Sequence, residues 1–388
     1  MIMSKDRSFL SPRTLFGSGY ISYLGSEARR FGINNAVIFT TKSAANSNHA
    51  ATITDSLNKA GVSSTLFTDI EPEPSVATAE KAFSFAKDRG ADGIIGIGGG
   101  SVLDVSKAVA AATTNNGLAA CAGVNSAKNP TLPLILAPTT AGTGSEATTV
   151  SVLIDAQGKK FVIYSPHLLP SSAIIDPLLT HSMPRDVTVH SGMDALCHAV
   201  EAYLSVNSSK ASEATALSAI GLLSNALPTV ATNPNDATAR YDMALGAHLA
   251  GVAMTNSGIE VDGCPIAGAG ISHAVGLATG ARYGLPHGLS VGMVLPYSMT
   301  ALKPTSKEKL ERIGLSMGAR PSAEEAIEKV HSMIKETGMK RTLTECGKNA
   351  FPDIDKVIED SLAAKRLLAN CSSEIGSREM RAVIEGIM

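Results

Sequence analysis

The sequence predicts an α/β domain with a mostly parallel, Rossmann-like sheet over residues 1–183, followed by an all-helical domain over residues 184–388. Two observations predict this. Up to about Thr180, short apolar or β-branched runs alternate with helical patterns, as in βαβ units. Beyond it, strand signals nearly vanish and long Ala-rich helical periods take over, with Pro184 at the change.

The elements follow in order. Residues 36–40 (AVIFT), 63–67 (SSTLF), 93–97 (GIIGI) and 132–137 (LPLILA) read as buried strands. Helical patterns at 77–89 and 102–112 lie between them. Residues 150–155 and 160–164 read as a hairpin around Asp155-Ala156-Gln157-Gly158, and 173–175 leads into Asp176-Pro177. The later helices are expected at 185–205, 210–230, 236–256, 266–279, 288–303, 306–317, 322–337 and 353–369. A cleft between two such domains is a usual place for a ligand.

Composition narrows the function. With 44% hydrophobic and 18% charged residues the chain is globular, and 388 residues suffice for two sizeable cores. A net charge of -2 gives no electrostatic case for nucleic acid or an anionic membrane as partner. The five cysteines are dispersed without a CxxC pair, which favours reduced thiols over disulfides or a zinc ribbon. The start, MIMSKDRSFLSPRT, has no apolar core of signal-peptide length, and no stretch approaches 18 uninterrupted apolar residues. A cytoplasmic setting is the expectation.

Residues 94–107 (IIGIGGGSVLDVSK) read as strand, glycine turn and helix. Gly98, Gly99 and Gly100 let backbone N–H groups approach an anion, and Ser101 is expected to cap a helix whose positive end faces a phosphate. A βα turn without a ligand explains a lone glycine run equally well. The run is not a full GxGxxG, because Ser101 stands where the third glycine belongs, and it follows the third predicted strand rather than the first. The loop PTTAGTGSE (138–146) adds Thr139, Thr140, Thr143 and Ser145 after another buried strand. Two anion-friendly loops at strand ends favour a nucleotide over either loop alone.

In SGMDALCHAVEAYLS, Asp194 and His198 are i and i+4, on one helix face where they can grip one ion. An isolated pair of this kind is more often a buried histidine bonded to a neighbour. His273 (GAGISHAVG) and His287 (GLPHGLS) are expected on separate helix ends, and each alone reads as structural. Glu201 continues the Asp194 face and could support a ligand from behind, with a solvated or helix-pairing role as the default. One carboxylate and three histidines suit iron(II) or zinc if they converge.

Taken together, GGGSVLDVSK, PTTAGTGSE, DPLLTHSMP, GMDALCHAVEAY and PHG resemble, in order, the motif series of the iron-containing (group III) alcohol dehydrogenases. The resemblance runs from about Phe16-Gly17 to the C-terminal EI segment. It implies the fold shared with dehydroquinate synthase-like proteins: a dinucleotide-binding domain and a helical metal-binding, catalytic domain. It implies that Asp194, His198, His273 and His287 ligate Fe(2+), with Zn(2+) also compatible. It implies pyrophosphate contacts from Gly98, Gly99, Gly100 and Ser101, with Asp104 nearby, and a cofactor lining of Thr139, Thr140, Thr143, Lys160 and Leu179. The implied reaction moves hydride between NAD or NADP and a small alcohol, aldehyde or ketone, the metal polarising the oxygen. A homodimer or higher homo-oligomer is the family habit.

This chain also departs from the pattern. Leu277 stands where many members carry a histidine, which puts a proton relay there in question. The 257–272 segment, with Glu260, Asp262 and Cys264, is longer than in common members and is expected to reshape the pocket or a subunit contact. Cys371 follows Asn370 where proline is frequent. Thr41 replaces the aspartate of NAD-selective relatives, so NADP(H) is expected to be tolerated or preferred, with Lys42 as a partner for its extra phosphate. A dehydroquinate synthase-like lyase needs several basic residues near the metal, and Arg282 is the nearest in sequence. A reductase of an anionic aldehyde or keto acid, and a non-catalytic binder on this fold, complete the alternatives.

Overall fold

The computed structural model describes residues 8–348 and 353–388. Its first half contains β1 (Arg13–Phe16), α1 (Leu24–Arg30), β2 (Asn35–Thr40), α2 (Ala50–Lys59), β3 (Ser63–Phe67), α3 (Val76–Asp88), β4 (Gly93–Gly98), α4 (Gly100–Thr114), β5 (Leu134–Pro138), β6 (Val150–Ile154), β7 (Lys160–Tyr164) and β8 (Ser172–Ile175). Six strands form one wholly parallel sheet in the order β1-β8-β5-β4-β2-β3. The hairpin β6–β7 and the short Gly123–Val124 strand make a separate three-stranded sheet.

The near-continuous apolar runs of β2, β4 and β5 follow from their central position. A parallel sheet covered by helices is buried on both faces. Alternate residues of each strand serve the two cores. Val37, Phe39, Ile94, Leu134 and Leu136 pack with α3 and α4. Ala36, Ile38, Ile95, Ile97 and Ile135 pack with α1 and α2 on the other side. After β3 the chain returns to lay β4 on the opposite side of β2. The strand order therefore reverses between β2 and β4, and a crevice opens beyond their carboxyl ends.

The second half is α5 (Arg185–Leu204), α6 (Lys210–Thr232), α7 (Ala237–Thr255), α8 (Ile271–Tyr283), α9 (His287–Ser316), α10 (Ala323–Glu336), α11 (Ile354–Ala363) and α12 (Ser377–Gly386). From Gly192 to Leu204, α5 is buried at every position, as befits a helix ringed by α6, α7 and α9. By length and composition α6 could cross a bilayer, yet half of its apolar stretch is buried inside the fold.

Three expectations need correction. The strand β1 precedes the others, so β4 is the fourth strand of the chain. The helix expected over 266–279 begins only at Ile271. Before it stands a small hairpin, Glu260–Val261 with Cys264–Pro265, so strand pairing does not end with the first domain. Its turn is Asp262-Gly263, with φ of 51° and 74°, the left-handed pair that a tight hairpin requires. The helices expected at 288–303 and 306–317 both form: within α9 they meet at a kink at Ser306, with φ of -128°, just after Pro304. The helix expected over 353–369 is interrupted at Ala364.

The halves are tied together beside the crevice. Gly144 has a φ of +60° and touches Gly251 of α7; a Cβ on Gly251 would lie 2.6 Å from the Gly144 carbonyl oxygen. Next to them, buried His248 of α7 bonds Glu146 through Nδ1 at 3.1 Å and Thr14 of β1 through Nε2 at 3.0 Å. The 260–265 hairpin adds a link from the Asn125 amide to the Asp262 carbonyl at 2.8 Å. Because backbone faces backbone at Gly251, a methyl group there cannot be absorbed by a rotamer change. Gly251→Ala is expected to destabilise the protein by about 1–3 kcal/mol, read by denaturant unfolding. An unfolding curve superimposable on the parent's would contradict this packing.

Candidate metal centre and nucleotide cleft

Helix α5 places Asp194 and His198 one turn apart on a buried face. His273 is the third residue of α8 and His287 the first of α9, after Pro286. The structure brings all four together. Asp194 Oδ1 lies 3.7 Å from His198 Nε2, 3.7 Å from His273 Nε2 and 3.5 Å from His287 Nε2. The His198 and His273 rings stack with centroids 4.7 Å apart. The ligand atoms of Asp194, His198 and His273 all lie within 4.8 Å of one another.

These distances are too long for direct hydrogen bonds. Asp194 Oδ1 and His273 Nε2 are buried without any hydrogen-bond partner. Leaving such atoms unmatched is costly. A divalent ion among them would match them, and one carboxylate with three imidazoles is a suitable donor set for iron or zinc. Burial opposes charge on Asp194, but the three surrounding histidines outweigh it and hold the carboxyl well below the usual carboxylate range. Burial pulls His287 down to about 4, leaving a neutral ring with a lone pair to offer. His287 is also the most open member, with 39% of its side chain exposed.

Glu201 is not solvated. It is buried, accepts a hydrogen bond from His273 Nδ1 at 2.6 Å and pairs α5 with the start of α8. Its α5 position, one turn beyond His198, was the available signal. Leu277 lies one turn after His273 and is half-buried. Arg282 is engaged with Asp360 at 2.9 Å and Asp353 at 3.9 Å.

The crevice at the sheet's carboxyl edge is a cavity of about 1060 Å³, lined among others by Thr40, Thr41, Ile97, Thr139, Thr140 and Leu179. Gly98, Gly99, Gly100 and Ser101 form the turn beside it. None of the three glycines has a positive φ; closeness is what requires them. A Cβ at Gly98 would meet Val102 at 2.6 Å, and one at Gly100 would meet Thr143 at 2.8 Å. The glycine turn and the 139–145 hydroxyl loop thus pack directly on each other. Ser101 is not the helix cap: Gly99 is, and Ser101 lies in the first turn of α4. Backbone N–H groups of that turn remain the anion-facing feature.

Asp104 uses both oxygens within the protein. Oδ1 accepts from Ser145 Oγ at 2.6 Å and Oδ2 from the Val152 amide at 3.0 Å. Lys107 closes the 94–107 motif, and nothing in its spacing marks it as functional. It is fully buried and donates to the Ser145 carbonyl at 2.9 Å and to Thr148 Oγ1 at 3.0 Å. Together Asp104 and Lys107 fasten the hydroxyl loop to α4. Lys160 stands at the start of β7, exposed, with Asp104 and Asp194 within electrostatic reach. The protein packed around its amine lowers its pKa, an effect that solvent in the open cleft screens. Thr41 caps a short helix by accepting from the Ala44 amide, and Lys42 makes only an exposed 3.9 Å pair with Asp69.

The comparisons with known proteins now bear on this geometry. The iron-containing alcohol dehydrogenase family matches residues 11–177, and the family's C-terminal part matches residues 188–388. The chain belongs to the iron-containing alcohol dehydrogenase family. It is 34% identical to long-chain-alcohol dehydrogenase 1 of Geobacillus thermodenitrificans over 99% of this chain and 97% of that protein. The alcohol dehydrogenase of Oenococcus oeni superposes with a TM-score of 0.90 at 29% identity, covering 99% of this chain and 100% of that one. Sulfoacetaldehyde reductase of Bifidobacterium kashiwanohense, solved with NAD+, gives 0.87 at 27% identity over 100% and 99% of the two chains. The fold and reaction class are therefore those of a nicotinamide-linked alcohol oxidoreductase.

Removing a member of the buried cluster is expected to empty it. Asp194→Asn and His198→Ala should each weaken binding of added zinc by more than the ~10–100-fold typical of losing a supporting partner. Elemental analysis after dialysis checks this; one equivalent retained by both variants would contradict the cluster as a metal centre.

Proposed function

We propose that this dehydrogenase interconverts a small uncharged alcohol and its aldehyde or ketone, with NAD(H) or NADP(H), at an iron(II) centre held by Asp194, His198, His273 and His287. The observation that carries the reading is the convergence of these ligands, with Asp194 Oδ1 and His273 Nε2 buried and unpaired between them. Zinc is compatible with the same donors. When bound, the ion supplies Lewis-acid polarisation of the substrate oxygen, and the nicotinamide accepts or donates hydride.

The side chains do the positioning. The ionised Asp194 offsets the charge of an ion in a site with little water. His287, at the cleft side of the cluster, leaves the most space for a substrate oxygen. The first turn of α4 and the Thr139–Thr143 stretch hold the cofactor phosphates, and Asp104 with Lys107 keeps that stretch in place. Leu277 offers an apolar wall and no proton. The alcohol proton therefore leaves through solvent in the cleft rather than through residue 277.

A second reading, reduction of an anionic aldehyde, is favoured by the likeness to sulfoacetaldehyde reductase. Against it, Arg282 is already paired with two aspartates, which leaves Lys160 to meet the anion. Absorbance at 340 nm with neutral alcohols and with anionic aldehydes separates the two.

The absence of a carboxylate at residue 41 supports use of NADP(H). We expect kcat/KM for NADP(H) within about tenfold of that for NAD(H), or higher. Thr41→Asp should cut NADP(H) use by ~100-fold, because like charges set together cost several kcal/mol, and should leave NAD(H) use nearly unchanged. A parent enzyme that strongly prefers NAD(H) would contradict this expectation.

A further inference from the structure

Glu201 is a buried charged residue beside the metal cluster that the reaction chemistry does not use. We propose that it is the positioning residue of the metal centre, and that its carboxylate fixes the His273 ring in the tautomer that presents Nε2 to the ion. The proposal rests on the metal reading above.

The geometry carries it. Glu201 is 6% exposed, and three donors converge on its two oxygens. Oε2 accepts from the Gly270 amide at 2.8 Å and from His273 Nδ1 at 2.6 Å. Oε1 accepts from the Ser272 amide at 2.6 Å. An ionised carboxylate is acceptor-only, so each partner must bring a hydrogen. His273 Nδ1 then carries one. The other ring nitrogen, Nε2, is the atom that faces Asp194 Oδ1 at 3.7 Å with no hydrogen-bond partner. Metal-binding histidines are commonly oriented by a carboxylate on their second nitrogen, which also makes the ring a better donor.

The two backbone bonds extend the effect from tautomer to placement. Gly270 and Ser272 flank the start of α8, so the carboxylate anchors the segment that carries His273 as well as the ring itself. Gly270 makes room for this: a Cβ there would lie 3.3 Å from Glu201 Oε1. Asp194, His198 and Glu201 occupy one stripe of α5 at steps of four and three residues. One helix thereby supplies two ligands and the group that orients a third, which comes from another helix.

The test uses the whole chain, stripped of metal and titrated with zinc against a competing chelator. Glu201→Gln keeps the volume but replaces one accepting oxygen with a donor. We expect its zinc dissociation constant to rise ~10–100-fold. In a His273→Ala background the same change should add less than about twofold, because the two residues act as one unit. A purely structural role would lower the metal-free melting temperature yet leave zinc affinity unchanged. The wild-type holoenzyme gives a readout that needs no variant: 15N-resolved imidazole spectra should show His273 protonated at Nδ1 when zinc is bound. Zinc affinity of Glu201→Gln within about twofold of the parent, full additivity with His273→Ala, or a zinc-bound His273 protonated at Nε2 overturns the proposal. A parent that binds no zinc fails earlier, at the metal reading itself.

Discussion

The structure is organised around one buried negative charge. Asp194 lies in the middle of a helix that is enclosed by its neighbours, where an ionised carboxylate is unfavourable unless positive charge meets it. Three imidazoles surround it at distances that do not satisfy it directly. Their arrangement makes sense as a cage around a cation, and the helices α5, α8 and α9 must meet at this point for the cage to exist. The close approaches nearby follow from that meeting. Gly288, next to His287, can bear no side chain because a Cβ would lie 2.0 Å from the His190 carbonyl oxygen of α5.

The nucleotide half depends on the same logic of close approach. The crevice exists because the strand order reverses between β2 and β4, and it is walled by a glycine turn packed on a hydroxyl loop. The loop is anchored on one side by Asp104 and Lys107 and on the other by the contact of Gly144 with Gly251. Glu146, at the end of the same loop, bonds His248 of the helical half. A single stretch of chain, 139–146, thus faces the cofactor cleft and holds the two halves in register. The centre and the cleft are positioned by shared parts.

Much of this was legible in the sequence because it is local. Strands β2, β4 and β5 are short apolar runs, and Asp194 and His198 are neighbours on one helix. The convergence of His273 and His287 was not local. Residue spacing placed them on separate helix ends, and only the family resemblance brought them to Asp194. The sequence leaves Glu201 between roles because a glutamate on a helix face usually meets water; its partners are His273 and backbone amides 69 and 71 residues away. Serine favours a cap position, yet the cap lies two residues before Ser101, at Gly99, which packs close to Thr140. The Asp262-Gly263 turn was readable as a hairpin, but its strands are two residues each, too short for an alternating pattern.

X-ray absorption on the metal-loaded protein tests the central claim most directly. The account predicts a first shell of three imidazole nitrogens and one carboxylate oxygen from the protein, with no sulfur scatterer despite the nearby Cys197. A sulfur ligand, or fewer than three imidazoles, would contradict a centre built by Asp194, His198, His273 and His287.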